Sequence, residues 1–392
     1  MVTPAPLHLA LSAIHSPHIT LSFCSLRRGI TAPIQNSDMR ALAISKIGPI
    51  APVPKSEGKG HFERHQDRDE GPLAFMRFPI PAPTADQVLI KVSCCGVCHT
   101  ELDEIEGRTT PPYLPVIPGH EIVGHVVELG PDVKDLRMGD RVGVGWIFDS
   151  DGTELENLSP AFRATGRDAN GGYAEYMIVG EHYAHRIPDV FTDEEAAPLL
   201  CAGGIGYRAL KLTGFKDKKT LGLMGFGGSA HIVLQLAKHI YPNSKIFVFA
   251  RSQATRDFAL ELGADWAGNT SDMPPEKLDA IIDTTPAWAP ILASLEVLKP
   301  GGRLVINAIR KESKDVALLA NLDYAHHIWM EKEIKTVANV TGKDLREFLK
   351  VAAEIPLQPK VTIFPLEDAN VALRALKAGN IQGAYVLKVG RD

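Results

Sequence analysis

The chain is poor in cysteine: its 392 residues contain five, an odd number, and three of them (Cys94, Cys95, Cys98) fall within five positions. So sparse a set makes no disulfide framework, which points to a reducing compartment and to cysteine used for chemistry or metal. A basic excess is missing too, since 42 Lys+Arg face 47 Asp+Glu for a formal net charge of −5. Nothing in that balance would hold a phosphate backbone, so no nucleic-acid partner is expected. Hydrophobic runs are short and broken by Gly or Pro. None approaches the ~18 apolar residues of a spanning helix, and no membrane partner is expected. Acidic residues are absent before Asp38, where Ser, Thr and an Arg27-Arg28 pair occur. This segment lacks the basic start and long apolar centre of a secretory signal, but its composition is compatible with an organelle transit peptide. A disordered tail, or an upstream start ahead of Met39, are the other readings of residues 1–38. The expected location is cytoplasmic, or mitochondrial or another organelle if that segment is a transit peptide.

What the chain does have is length and apolar content, 45% hydrophobic, enough for two or three domains of about 150 residues each. From Met39 to about Gly180, short β runs (VLIKVSC, IVGHVVELG, DRVGVGW, GGYAEYMIV) are punctuated by Gly and Pro, as in an antiparallel, barrel-like domain. From about Thr220 strands alternate with helices: TLGLMGF, HIVLQLAKHI, KIFVFA, ATRDFALELG, LDAIIDTT, ILASLEVLK, GRLVINA. That βαβ series predicts a parallel doubly wound sheet, hence an α/β protein. The last residues return to a helix, LREFLKVAAEI, and the short strands KVTIFPL and GAYVLKV.

Gly225-Phe226-Gly227-Gly228-Ser229-Ala230 follows an apolar strand and opens an amphipathic helix. In that context Gly225 allows the tight turn, Gly227 and Gly228 let backbone N–H groups approach a pyrophosphate, and Ala230 is small enough for helix–strand packing. The bland alternative is a βα turn that packs and binds nothing. After the second strand an NAD site usually offers Asp or Glu to the ribose, but this chain reads Ala250-Arg251-Ser252. A guanidinium and a hydroxyl in place of a carboxylate favour NADP(H) over NAD(H), with Arg256 able to add charge. The competing reading has Arg251 merely stacking on adenine in a coenzyme-tolerant site.

Three further segments carry candidate ligands: Cys95-Gly96-Val97-Cys98-His99-Thr100-Glu101, Pro118-Gly119-His120-Glu121 and Leu200-Cys201-Ala202-Gly203-Gly204. Singly they are weak, because a lone Cys is usually a small hydrophobe and Cys95 with Cys98 resembles a redox pair. Together, Cys98, His120 and Cys201 supply two thiolates and an imidazole, a donor set suited to zinc with a fourth position open.

The motifs GVCHTELDEIEG, PVIPGHEIVGHVVELG, DRVGVGW, GGYAEY, PLLCAGGIGYRAL and the glycine loop, in that order, resemble the zinc-dependent alcohol dehydrogenases of the medium-chain dehydrogenase/reductase superfamily, from Met39 to Val389. The resemblance implies a GroES-like, β-rich catalytic domain (39–201 and 338–392) and a Rossmann coenzyme domain (202–337). It implies that Cys98, His120 and Cys201 hold a catalytic zinc, with Glu121 beside it as a second-shell or transient ligand. Thr100 would begin the proton relay, His99 would lie near the coenzyme pyrophosphate, and Trp146 would line the substrate pocket, unless it is a core aromatic. A Lewis-acidic zinc lets an alcohol lose its proton near neutral pH and pass a hydride to nicotinamide, or polarises a carbonyl to accept one.

Two departures matter. Many relatives hold a structural zinc with four cysteines after the DRVGVGW strand, where this chain reads IFDSDGTELENLSPAFRATG, so one catalytic ion and no structural zinc is expected. Where some relatives end the relay in histidine stands Asp103, so a carboxylate or solvent finishes it. The leading expectation is an enzyme interconverting small alcohols and aldehydes or ketones with NADP(H), as a homo-oligomer, dimer or tetramer. The alternatives are the NAD-linked equivalent, a zinc-free enone or quinone reductase, and a non-catalytic nucleotide-binding protein.

Overall fold

A computed structural model describes residues 37–51, 71–355, 357–379 and 383–390. The expectations for residues 1–36 lie outside the described residues. Two sheets organise the rest. The first contains Val361–Pro365, Ala384–Lys388, Gln87–Val97, Ile122–Leu129, Arg141–Val144 and Ala184–Arg186 in that order, and Tyr176–Gly180 also pairs with Gln87–Val97. Its pairings are antiparallel except the first, which is parallel. Gln87–Val97 is central and buried on both faces: Cys95 packs in the core with Ile90, Ile122 and Tyr173, whereas Cys94 packs with Val123, Leu200 and Val386. Both are packing residues.

The second sheet has six parallel strands in the order Trp266–Gly268, Lys245–Phe249, Thr220–Met224, Leu278–Asp283, Leu298–Ile306, Glu333–Thr336. Numbered along the chain this is 3-2-1-4-5-6, whose order reverses beside Thr220–Met224, so a crevice opens at the carboxyl ends of Thr220–Met224 and Leu278–Asp283. Leu221, Leu223, Val248 and Ile282 pack on one face with Val233 and Ala237, and Met224, Phe247, Phe249 and Ile281 on the other with Ile291 and Leu295.

The two parts meet through helices Ala202–Leu212 and Gly342–Glu354. The latter buries Leu345, Phe348, Leu349 and Ala352, one stripe at helical spacing, and its N-cap Thr341 accepts the Asp344 N–H at 3.0 Å. A Cβ on Gly203 would stand 2.5 Å from the Phe348 ring, so this crossing requires the small residue. Where relatives carry cysteines, Ile147–Asp149 pairs with Arg163–Ala164, and the buried Glu156 accepts from Gly342 N–H at 2.6 Å and Tyr183 O–H at 3.0 Å. A carboxylate network ties this segment to the fold.

Candidate active site

Three distant parts of the sequence converge at one corner. Cys98 caps helix His99–Ile105, Cys201 caps Ala202–Leu212, and His120 follows Gly119, which sits at φ +99 with no room for a Cβ beside Tyr173 and the Cys95 Sγ. One ligand atom from each of Cys98, His120, Glu121 and Cys201 lies within 4.8 Å of all the others. The Cys98 and Cys201 sulfurs are 4.0 Å apart. That is far beyond a disulfide at about 2.05 Å but close to the about 3.8 Å between two thiolates on one tetrahedral zinc. The hydrogen bond from Cys201 is the main cause holding the Cys98 thiol well below its usual range, and the same contact raises Cys201. The donors and their spacing fit zinc.

The carboxylate of Glu101 organises this corner. Its Oε2 accepts the Cys98 backbone N–H at 2.8 Å, and its Oε1 lies 2.7 Å from His120 Nδ1. Both side chains are buried; the Nδ1 contact is an ion pair outside hydrogen-bond alignment, and His120 Nε2 has no hydrogen-bond partner among the described residues. A buried imidazole nitrogen with no partner is costly unless an ion takes it, while the carboxylate at the other nitrogen fixes the ring. Glu121 is buried alongside, and a Cβ on Gly96 would collide with its carboxylate. Burial, then the charge on Cys98, raises the Glu121 carboxyl well above its usual range. Thr100 Oγ1 is 3.5 Å from Cys98 Sγ. The Trp146 ring, half-buried, has its centroid 6.2 Å from that of His120 and 5.6 Å from that of Phe162. His99 is exposed on the same helix.

The crevice of the parallel sheet holds the glycine loop. Gly225 has φ +85, and a Cβ there would stand 2.8 Å from Thr284 Oγ1. Gly227 caps helix Gly228–Ile240, whose Ala230 is buried. Beneath the loop the buried Asp283 pairs with Lys311, which also donates to Thr285 O at 2.7 Å. At the far end, Arg251 is exposed and has no side-chain partner among the described residues. Ser252 caps helix Gln253–Glu261, accepting the Thr255 N–H at 3.1 Å. Arg256 is otherwise engaged: it donates to Ala250 O at 2.7 Å, Arg251 O at 2.8 Å and Gln253 Oε1 at 2.8 Å. Its guanidinium closes this turn and keeps its charge beside Arg251.

Residues 84–189 match the alcohol dehydrogenase GroES-like domain and residues 228–354 the zinc-binding dehydrogenase domain. "Probable alcohol dehydrogenase AdhA" of Mycobacterium tuberculosis is 40% identical over 332 residues, 82% of this chain and 94% of that protein. The chain belongs to the zinc-type alcohol dehydrogenases of the medium-chain dehydrogenase/reductase family. A cinnamyl alcohol dehydrogenase of Sorghum bicolor superposes with TM-score 0.75 at 26% identity, covering 90% of this chain and 98% of that one. The fold is shared with the Helicobacter pylori CAD complexed with NADP(H), TM-score 0.74 at 23% identity, covering 90% and 98%.

In this alcohol dehydrogenase several buried polar groups had no counterpart in the sequence reading. Glu101 is one, although a Glu three positions after a helix-capping residue is a recognisable pattern. Glu104 is another: both oxygens are buried without a hydrogen-bond partner among the described residues, and burial, then the neighbouring Glu101, raises its carboxyl well above the usual range. Lys311 had no local signal, since Asp283 is 28 residues away.

Proposed function

We propose that this enzyme carries one catalytic zinc on Cys98, His120 and Cys201, with Glu121 beside it, and interconverts small alcohols and aldehydes or ketones with NADP(H). The observation that carries this reading is the buried cluster of two sulfurs, an imidazole whose nitrogens have no hydrogen-bond partner among the described residues, and one carboxylate next to the Thr100 hydroxyl. Zinc there would supply the Lewis acidity that eases proton loss from an alcohol or polarises a carbonyl. The chain's own residues do the rest. Glu101 keeps His120 oriented, Thr100 takes the substrate proton through its hydroxyl, and Trp146 bounds the pocket, favouring primary alcohols and their aldehydes. Gly225, Gly227, Gly228 and Ala230, with His99, hold the pyrophosphate.

The NADP(H) preference rests on Arg251, exposed with no side-chain partner among the described residues, and on the Ser252 hydroxyl. Binding of NADP(H) by the H. pylori protein is compatible with this choice. A single ion is favoured because Glu296, His326 and His327, which also gather, make a poor ligand set. His327 Nδ1 accepts the Asp323 N–H at 2.9 Å, which in a neutral ring leaves the proton on Nε2, the atom 3.9 Å from Glu296. Homo-oligomer formation is supported by the exposed edge strand Glu333–Thr336, flanked by exposed Tyr324, Trp329 and Met330. We also place the domain limits at 39–201 with 338–392, and 202–337. Following absorbance with NADPH and NADH against a panel of aldehydes tests the reading: faster turnover with NADPH is expected, and turnover only with NADH would reject the coenzyme choice.

A further inference from the structure

Asp103, where a relay would end, is bound from the other lobe. It lies on helix His99–Ile105 with Cys98 at the cap, and its side chain is 1% exposed. Its Oδ1 accepts from Arg310 Nε at 2.8 Å and also from Arg108 Nε, while Oδ2 is buried without a partner among the described residues. Arg310 lies 207 positions away, in the segment after parallel-sheet strand Leu298–Ile306. Its neighbour Lys311 makes the buried pair with Asp283 at the end of strand Leu278–Asp283. The Asp283 backbone C=O accepts the Asn307 N–H at 2.7 Å, and Thr285 lies against Gly225. Two consecutive cations therefore tie one short segment to both lobes, Lys311 to the floor beneath the glycine loop and Arg310 to the helix that carries Cys98 and Thr100.

We propose that Asp103 and Arg310 form a latch that couples coenzyme binding to the placement of the zinc-corner helix, making both positioning residues and leaving the proton path from Thr100 to end in solvent. This inference rests on the alcohol dehydrogenase reading above. Arg108 keeps its bond to Oδ1 if Arg310 lets go, so Arg310 supplies the part of this charged contact that crosses between the lobes and holds them in the register that brings nicotinamide and Thr100 together. Any ligand that binds the latched arrangement better must in turn tighten the latch.

The test compares wild type, Arg310→Gln, Asp103→Asn and the double variant, each as the zinc-loaded enzyme. NADPH dissociation constants are read by fluorescence titration, and kcat, KM and the pH profile by alcohol oxidation. Arg310 is partly exposed, so its variant avoids the folding risk carried by Asp103→Asn. The latch predicts NADPH binding weakened about 10-fold in either single variant, no further loss in the double, partial rescue in Arg310→Lys, and an unmoved pH profile. A shifted pH profile in Asp103→Asn with unchanged NADPH binding in Arg310→Gln would overturn it and make Asp103 the relay's end. Additive losses in the double variant would overturn it as well. Because the titration needs no turnover, an inactive wild type would count against the proposed function alone.

Discussion

The proposed metal corner and the proposed ribose end of the nucleotide site are built on opposite terms. The corner draws Cys98, His120, Glu121 and Cys201 from three separated segments, buries Glu101 and His120, and leaves little freedom to any ligand. The ribose end is local and open: Ala250 to Arg256 is one turn into a helix, Arg251 is exposed, and Arg256 bonds the backbone. Burial constrains the first, whereas in the second a single side chain is expected to change the coenzyme without disturbing the fold. Reaction type should therefore resist substitution less gracefully than coenzyme choice.

Cys98→Ser attacks the buried side of this contrast and carries the largest expected effect. Zinc content should fall toward zero and alcohol turnover by about 10³-fold or more, with NADPH affinity within a few fold of wild type. Undiminished turnover would remove the metal from the account. Glu101→Gln keeps every ligand but loosens His120, and zinc affinity should drop by about 10–100-fold in a chelator titration. At the open end, Arg251→Asp should raise the KM for NADPH about 10-fold and improve NADH, with zinc content unchanged. Arg256→Ala sharpens the distinction between two neighbouring arginines. It should cost about 1 kcal/mol in urea unfolding while coenzyme preference holds, because its bonds go to Ala250 O and Arg251 O. A switch in preference there would show that Arg256 reads the phosphate.

Legibility in the sequence follows the same division between local and distant. The parallel sheet was readable because every strand and helix from Thr220 to Ile306 except Trp266–Gly268 carries its own apolar pattern, and so was Gly225, whose loop joins a strand to a helix. The sheet's edges were not. Glu333–Thr336 is exposed throughout and reads as polar chain, and Trp266–Gly268 is too short to show a period. Helix Ala369–Ala378 lay unassigned between the two short strands expected in the tail, although Val371, Ala372, Ala375 and Leu376 share one face and Gly379 closes it at φ +75. Zinc-ligand candidates stood out because two thiols and an imidazole fall in motifs that resemble those of the family. Their supports did not: Glu101 looks like any helical acid until His120 arrives from 19 residues on, and the Arg310 partner of Asp103 has no trace near it in the chain.

The most direct test of the central claim is zinc per chain in the purified protein, counted by elemental analysis before and after Cys98→Ser. The account predicts one zinc in the wild type and none in the variant, with folding preserved. Two ions in the wild type, or one retained after the substitution, would contradict it.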